Sequence, residues 1–492
     1  MIFWLLILLL ALLLFYNFHY KRRNLPPGPT PWPFVGNALT LSRTNRWETK
    51  FLEWSRTYGS TFTYWLGELP VVAVCDYADM QQYFVKQADL FSDRYNQHLT
   101  RLRFGEYGIL MTNGAVWREQ RRFALKVLRD FGLGKNQMEE RILLELDDVI
   151  RKTDRICGPE EIDFFKFTDI AVGSVINSIV NGYRFTEENS HEFYRLKDLT
   201  KNLMMATRNW RSNLATNNPW LQRFSFFKSK MDIAINYFNE ITAFLNQQVA
   251  KHLEKIDYSQ DLEPNDLIDA FLLERQRRIA AGNEGSFVIR QLNTVVFDLW
   301  LAGQETTSST LTWIIGYLMR FPEVQEKLQK ELDTVIGSKR IVRNSDRADL
   351  PYTNAVIMEC QRCSNILSQN VARSVHQDVE VNGYLLKKGT TIVPQISVLL
   401  QNPKIFAEPE KFNPDRFIDQ NGKLRQVEEL IPFSLGKRIC LGEGMARMEL
   451  FIFTANLFNQ YKFESGKVAP SLQKVTGNSM MMKPYSCVVR RR

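Results

Sequence analysis

The chain has 492 residues, 45% hydrophobic and 24% charged, which excludes a disordered or fibrous protein and, on length alone, leaves room for about three domains. Its net charge of +9 comes from 63 Lys and Arg against 54 Asp and Glu, scattered without a basic–aromatic strip; that excludes a dedicated nucleic-acid binder and suits an anionic membrane surface or an acidic protein partner. The six cysteines (Cys75, Cys157, Cys360, Cys363, Cys440 and Cys487) are too few and uneven for a disulfide framework and fit a reducing compartment.

In chain order, Ile2 to Phe18 is almost wholly apolar, and Lys21-Arg22-Arg23 follows at once. A run of this length can just span a bilayer, and the positive flank stays cytoplasmic. With no charge before the run and no A-x-A after it, a retained anchor is expected over residues 1–20 rather than a cleaved signal peptide. The stretch Pro26-Pro27-Gly28-Pro29-Thr30-Pro31-Trp32-Pro33 is stiffened by proline, so residues 21–37 read as a basic, proline-rich strut. Residues 38–492 show no linker and read as one large domain.

Thr61–Leu66 and Val71–Cys75 alternate as strands and are predicted to form a hairpin through Gly67-Glu68-Leu69-Pro70. Helical spacing governs Glu139–Arg151, Asp232–Leu253 and Gln291–Leu318. Between the first two, Leu203–Phe227 mixes large apolar residues with Arg and Lys; it suits either a membrane surface or the core. Strand signals return at Val379–Val381, with Asn382-Gly383 as the turn, and at Thr391–Val393. The fold class is therefore mainly α with a small β region. Cys360 and Cys363 form one C-x-x-C, but no second pair completes a zinc site, so they read as ordinary helix cysteines.

The stretch that carries chemistry is Phe433-Ser434-Leu435-Gly436-Lys437-Arg438-Ile439-Cys440-Leu441-Gly442. Glycines on both sides of Cys440 let the backbone approach a flat partner closely. Arg438 could meet an anion. A helical pattern begins at Glu443, so the cysteine lies just before a helix N-terminus, whose dipole is expected to lower the thiol pKa and favour the metal-binding thiolate.

This segment resembles the haem-binding loop of the cytochrome P-450 superfamily, F-x-x-G-x-R-x-C-x-G, at every fixed position. Three further motifs follow the family in order. Glu359-x-x-Arg362 resembles the family's E-x-x-R, joined by Arg416 of Phe412-Asn413-Pro414-Asp415-Arg416-Phe417, a set with a structural role behind the haem. Ala302-Gly303-Gln304-Glu305-Thr306-Thr307 resembles A-G-x-[DE]-T, which crosses the oxygen-binding face of the haem. Glycine and hydroxyl residues are poor choices for a helix interior, so a local opening of the helix is expected there. Trp117-x-x-x-Arg121 resembles the W-x-x-x-R pair that meets a haem propionate.

The resemblance covers residues 26 to 490 and is to the microsomal, animal type. It implies a cytochrome P-450-like fold and haem b (iron protoporphyrin IX) with Cys440 as the metal ligand. Cofactor contacts fall on Arg438, Trp117, Arg121, Arg373, Arg94, Gly303 and Phe433; a free surface arginine is the rival reading for Arg94. Glu305 and Thr306 would deliver protons during oxygen activation; the rival for Thr306 is a bond to a carbonyl one turn back. The implied reaction inserts one oxygen atom from O₂ into an apolar substrate such as a fatty acid, a steroid or a xenobiotic. No flavin or ferredoxin domain is found, so electrons are expected from NADPH through a separate flavoprotein reductase. That reductase should meet the basic residues Arg118, Arg122, Lys126 and Arg129. The implied location is the endoplasmic reticulum membrane, catalytic domain toward the cytoplasm. Pocket walls are expected at His98–Met111, Val296–Ala302, Leu367–Ala372 and Asn478–Met480. Ser368 and Ala372 depart from the prolines common in microsomal relatives.

Overall fold

The computed structural model describes the chain except residues 45, 96–105, 133–135, 258–262 and 477–478. Helices dominate, as the periodicity required. The longest is a central helix, Ile289–Arg320, of 32 residues and so about 48 Å. From Thr307 to Met319 it is buried almost all round, the mark of a helix enclosed by other elements. Helices Phe165–Val180, Pro351–Ser364 and Glu443–Gln460 pack against it, and one apolar core runs through all four.

Thr61–Leu66 pairs antiparallel with Leu69–Val74, which runs parallel to Thr391–Pro394, and Arg373–Ser374 closes the sheet. The hairpin turn is tighter than the sequence reading had it. Gly67 takes φ +65°, so Gly67-Glu68 suffices and Leu69 and Pro70 join the strand. At the second hairpin Asn382 and Gly383 take φ +49° and +83°, the left-handed pair a two-residue turn needs.

The N-terminal helix Ile2–Phe18 is mostly apolar and exposed along nearly its whole length, so the described residues leave most of it uncovered. Its length and composition qualify it as a candidate membrane span. Its one buried residue, Asn17, donates to the Pro31 carbonyl at 2.8 Å. The proline-rich strut is docked rather than free. Thr63 N–H donates to the Pro27 carbonyl at 3.0 Å, and a Cβ on Gly28 would lie 1.9 Å from the Thr63 carbonyl oxygen. In the Leu203–Phe227 stretch Leu203 and Ala215 are buried in the core, whereas Trp210, Trp220, Phe224 and Phe226 are each more than half exposed.

Candidate functional site

The Gly-rich loop ends in the short turn Gly436–Arg438 and leads through Cys440 into helix Glu443–Gln460. Gly436 takes φ +70°, and a Cβ there would lie 1.8 Å from the Phe84 carbonyl oxygen, so only glycine fits. The Cys440 N–H donates to the Phe433 carbonyl at 2.9 Å and closes the loop, while the Phe433 ring stacks 4.7 Å from the Arg447 guanidinium. Cys440 is accessible, yet protein surrounds it closely enough for burial to push its thiol up. That corrects the expected direction. The Gly442 N–H and the Arg121 charge lower the value, but burial is the larger effect and Glu443 adds to it. A cationic metal, not the helix end, would have to make this thiol a thiolate.

Arg438 of this loop is joined there by three arginines from distant segments, Arg94, Arg121 and Arg373. Arg438 is buried and donates to the carbonyls of Ser92 (2.6 Å), Thr112 (2.5 Å) and Ile109 (3.3 Å) and to Asn113 Oδ1 (3.1 Å). Its guanidinium lies 3.7 Å from the centre of the buried Trp117 ring. Arg94 is also buried, which removes the surface-arginine reading; it donates to the carbonyls of Val371 (2.7 Å), Ala372 (3.2 Å) and Leu110 (3.3 Å). Arg373 donates to the Leu435 carbonyl at 2.7 Å and lies 4.7 Å from the Phe84 ring centre. Arg121, half-buried, donates to the Ile439 carbonyl at 2.6 Å.

Among the described residues none of the four makes an ion pair with a carboxylate; the acceptors are neutral. Burial and mutual repulsion pull Arg94 down to about 10, Arg373 to about 9 and Arg438 to about 8. Such a concentration of unneutralised charge is costly unless an anion completes it. Trp117 Nε1 and Arg373 Nε are in addition buried without a hydrogen-bond partner. An accessible thiol beside four anion-seeking guanidiniums and two idle N–H donors fits haem, whose iron the sulfur could hold and whose propionates the guanidiniums could neutralise.

Behind the loop, Glu359 and Arg362 are fully buried and bonded at two points, 2.7 and 2.8 Å. Arg416 adds a third bond at 3.1 Å and the Asn413 N–H a fourth at 2.8 Å. Cys360 is buried and Cys363 half-buried on the same helix, and both are free thiols pushed up by burial.

On the central helix the expected opening at Ala302–Thr307 does not occur; the helix runs through unbroken. The hydroxyls satisfy carbonyls within their own helix: Thr306 Oγ1 donates to the Ala302 carbonyl at 2.7 Å and Thr310 Oγ1 to that of Thr306 at 2.8 Å. The missing Cβ of Gly303 points at Ile176, 3.0 Å away, so this glycine first serves close packing on helix Phe165–Val180. Ala302 is exposed, and Asp298 and Thr306, one turn to either side, are partly accessible, whereas Gln304, Glu305 and Thr307 are buried. Glu305 is pushed up by burial, with Lys197 lowering it and Asp169 raising it. Asp169 accepts from Gln304 (2.7 Å) and Ser308 (2.8 Å) and pairs with Lys197.

The expected pocket walls are tied together by hydrogen bonds, except that residues 98–105 and 478 lie outside the described residues. Asp298 accepts from the N–H groups of Ile109 and Leu110, both at 2.8 Å, and joins the first wall to the second. The Met480 N–H donates to the Ile366 carbonyl at 2.7 Å. The segment lacking the expected prolines is pinned instead through its carbonyls, Ser368 to Gln395 (2.8 Å) and Val371 to Arg94. Two acids were missed from sequence. Asp298 is pushed up to about 6 by burial. Glu449, on the helix after the cysteine, has both oxygens buried without a partner, lies near Thr307 and is pushed up to about 8. The available signal was an acid at a helix position whose neighbours, Val296-Phe297 and Leu450-Phe451, are apolar.

Comparison with known proteins agrees with this geometry. The cytochrome P450 family model matches residues 26–489. The chain is 38% identical to mouse (Mus musculus) cytochrome P450 2J5 over 447 residues, 90% of this chain and 86% of that protein. It is 37% identical to rabbit (Oryctolagus cuniculus) cytochrome P450 2B4, covering 93% and 91%, and 32% identical to human cytochrome P450 2U1, covering 96% and 90%. A cysteine loop, its buried cations and a family match over nearly the whole chain lead to one conclusion: this protein is a monooxygenase of the cytochrome P450 family.

Proposed function

We propose that the chain is a membrane-anchored haem-thiolate monooxygenase that oxidises small apolar compounds, fatty acids, steroids or xenobiotics, with electrons from NADPH through a separate flavoprotein reductase. The observation that carries this reading is the set of four buried or half-buried guanidiniums, bonded only to neutral oxygens, around the accessible Cys440. Haem, when bound, supplies the centre at which dioxygen is activated and one oxygen atom passes to substrate. Cys440 would hold its iron; Arg94, Arg121, Arg373 and Arg438 would neutralise its propionates, with Trp117 donating from its free N–H.

The protein's own part is to shape the pocket and move protons. Ala302 and Thr306, with Asp298 one turn before, present an accessible strip on a largely buried helix. The Thr306 hydroxyl donates to the Ala302 carbonyl and keeps its oxygen free to accept a hydrogen bond from a neighbour. Glu305, pushed up by burial, is more ready than an ordinary carboxylate to hold a proton and pass it inward. Apolar substrate would meet Leu110, Leu367 and Ala302. The exposed residues Arg118, Arg122, Lys126 and Arg129 on helix Gly114–Asp130 form a basic face suited to an acidic reductase. The apolar N-terminal helix and the exposed Trp210, Trp220, Phe224 and Phe226 suit a lipid surface, and the endoplasmic reticulum membrane with the body toward the cytoplasm is the location proposed.

The test is Cys440→Ser, read by the absorption of the reduced carbon-monoxide complex. Loss of the red-shifted thiolate band in Cys440→Ser, with the band intact in Cys363→Ser, is the expected result. A band that survives in Cys440→Ser sinks the ligand assignment.

A further inference from the structure

The end of the N-terminal helix, the strut and the first hairpin enclose a cavity of about 220 Å³ that none of the chemistry above uses. His19, Arg22 and Arg23 face it together with Phe18, Leu25 and Trp65, and among the described residues no acidic side chain lines it. It is smaller than the roughly 300 Å³ at which pockets for whole drug-sized molecules begin. Its position is specific: a helix of 17 residues is about 26 Å long, so its end at Phe18 lies close to the depth of the lipid headgroups.

The three cations of the run Lys21-Arg22-Arg23 are not equivalent. Lys21 is spent, paired with Glu68 at 2.7 Å and lying 4.6 Å from the Trp65 ring centre. Arg23 is exposed and rests on the Tyr20 ring. Arg22 is half-buried and held by neutral oxygens alone: the Gly28 carbonyl at 2.8 Å, the Phe18 carbonyl at 3.4 Å and Thr30 Oγ1 at 3.5 Å. No carboxylate pairs with it among the described residues. The strut fixes it there, because Gly28 is pressed against Thr63 and Asn37 holds the Thr30 carbonyl at 3.1 Å. A preorganised guanidinium with open donors, at headgroup depth, beside a cavity with an apolar rim, is complementary to a phosphate carried on acyl chains.

We propose that this cavity binds the phosphate headgroup of an anionic phospholipid from the leaflet that the folded body faces, with Arg22 as the principal contact and His19 and Arg23 as supports. The bound lipid would join the anchor to the strut and so set the angle at which the body rests on the membrane. The proposal rests on the reading of Ile2–Phe18 as a membrane anchor.

The full haem-loaded protein, in a neutral detergent, is titrated with short-chain phosphatidic acid, short-chain phosphatidylcholine and inorganic phosphate by calorimetry. Phosphatidic acid should bind at one site; phosphatidylcholine and inorganic phosphate should bind far more weakly. Arg22→Gln should weaken phosphatidic acid about tenfold or more, the loss expected of a charge-assisted contact. Arg22→Lys should restore part of it, and Lys228→Gln, an equal loss of charge elsewhere, should change it less than about fivefold. Circular dichroism checks that each variant is folded. Equal losses in Arg22→Gln and Lys228→Gln would reduce the effect to general attraction and overturn the site. Inorganic phosphate binding as tightly as the lipid would overturn the lipid as ligand. Flotation of the wild type with phosphatidylcholine vesicles separates the two readings. A protein that floats but shows no phosphatidic-acid site loses only this proposal; one that does not float loses the anchor as well.

Discussion

Replacing Glu359 by Gln removes one negative charge from a site with almost no solvent and leaves the shape unchanged. In the wild type both carboxylate oxygens are taken by Arg362, and one of them also accepts from Arg416 and from the Asn413 N–H. Arg362 spends its remaining donors on the Leu400 and Lys411 carbonyls at 2.8 and 3.2 Å. Gln supplies one acceptor where there were two, and its amide N–H₂ must point a donor at a donor. Arg362 has 0% exposure, so water cannot fill the gap. Breaking a buried pair by removing one partner costs about 3–5 kcal/mol, a large share of the roughly 5–15 kcal/mol that holds a typical domain together. Arg416→Lys, by contrast, keeps the charge at the 10%-exposed end of the network while weakening the 3.1 Å contact to Glu359 and the bonds to the Ala407 and Lys411 carbonyls, and should cost less, about 1–2 kcal/mol. Urea denaturation of the haem-loaded proteins, followed by circular dichroism and by haem absorption, measures both. The haem-loaded fraction of Glu359→Gln should turn over at a near-normal rate per haem, because the network braces the loop and touches no substrate. A loss below about 1 kcal/mol, or normal stability with a collapsed rate per haem, would refute the structural role.

Thr306→Ala should keep normal carbon-monoxide binding but raise hydrogen peroxide release and lower product formed per NADPH, since the hydroxyl held by the Ala302 carbonyl is lost with no more than a methyl group beside it; an unchanged ratio would mean that protons travel by another route. Asp298 has its carboxyl raised to about 6, so its contribution to stability is full below its unfolded value near 4 and is lost as pH rises through about 6. Asp298→Asn still accepts from Ile109 and Leu110, so its stability relative to the wild type should rise by about 2 kcal/mol between pH 4 and pH 7 in denaturation series; a flat difference would refute the buried-charge argument. Charge reversal at Arg122 and Lys126, both exposed, should raise the apparent reductase Michaelis constant and weaken its salt dependence while sparing peroxide-driven activity; equal loss with both oxidants would remove the docking face.

Much of the molecule was legible before folding was considered. The hydrophobic period located the helices around Glu139–Arg151, Asp232–Leu253 and Gln291–Leu318, because that pattern is a property of neighbouring residues. Asn382-Gly383 announced its turn for the same local reason: those two residues tolerate positive φ. The ordered motifs, ending at Cys440, identified the family, since each requires particular side chains at fixed spacing. Folding decided what those side chains meet. Arg94 became a buried member of the cation cluster through carbonyls more than 270 positions away. The opening expected at Ala302–Thr307 was a propensity argument, and tertiary packing with i−4 hydroxyl bonds overrode it. The helix dipole at Cys440 was likewise a local argument, outweighed by a burial that no stretch of sequence displays. Asp298, Glu449 and the docked strut escaped notice for one physical reason. Their surroundings come from distant parts of the chain, and the cost of burying a charge or the gain from pairing a polar group exists only once packing has excluded water.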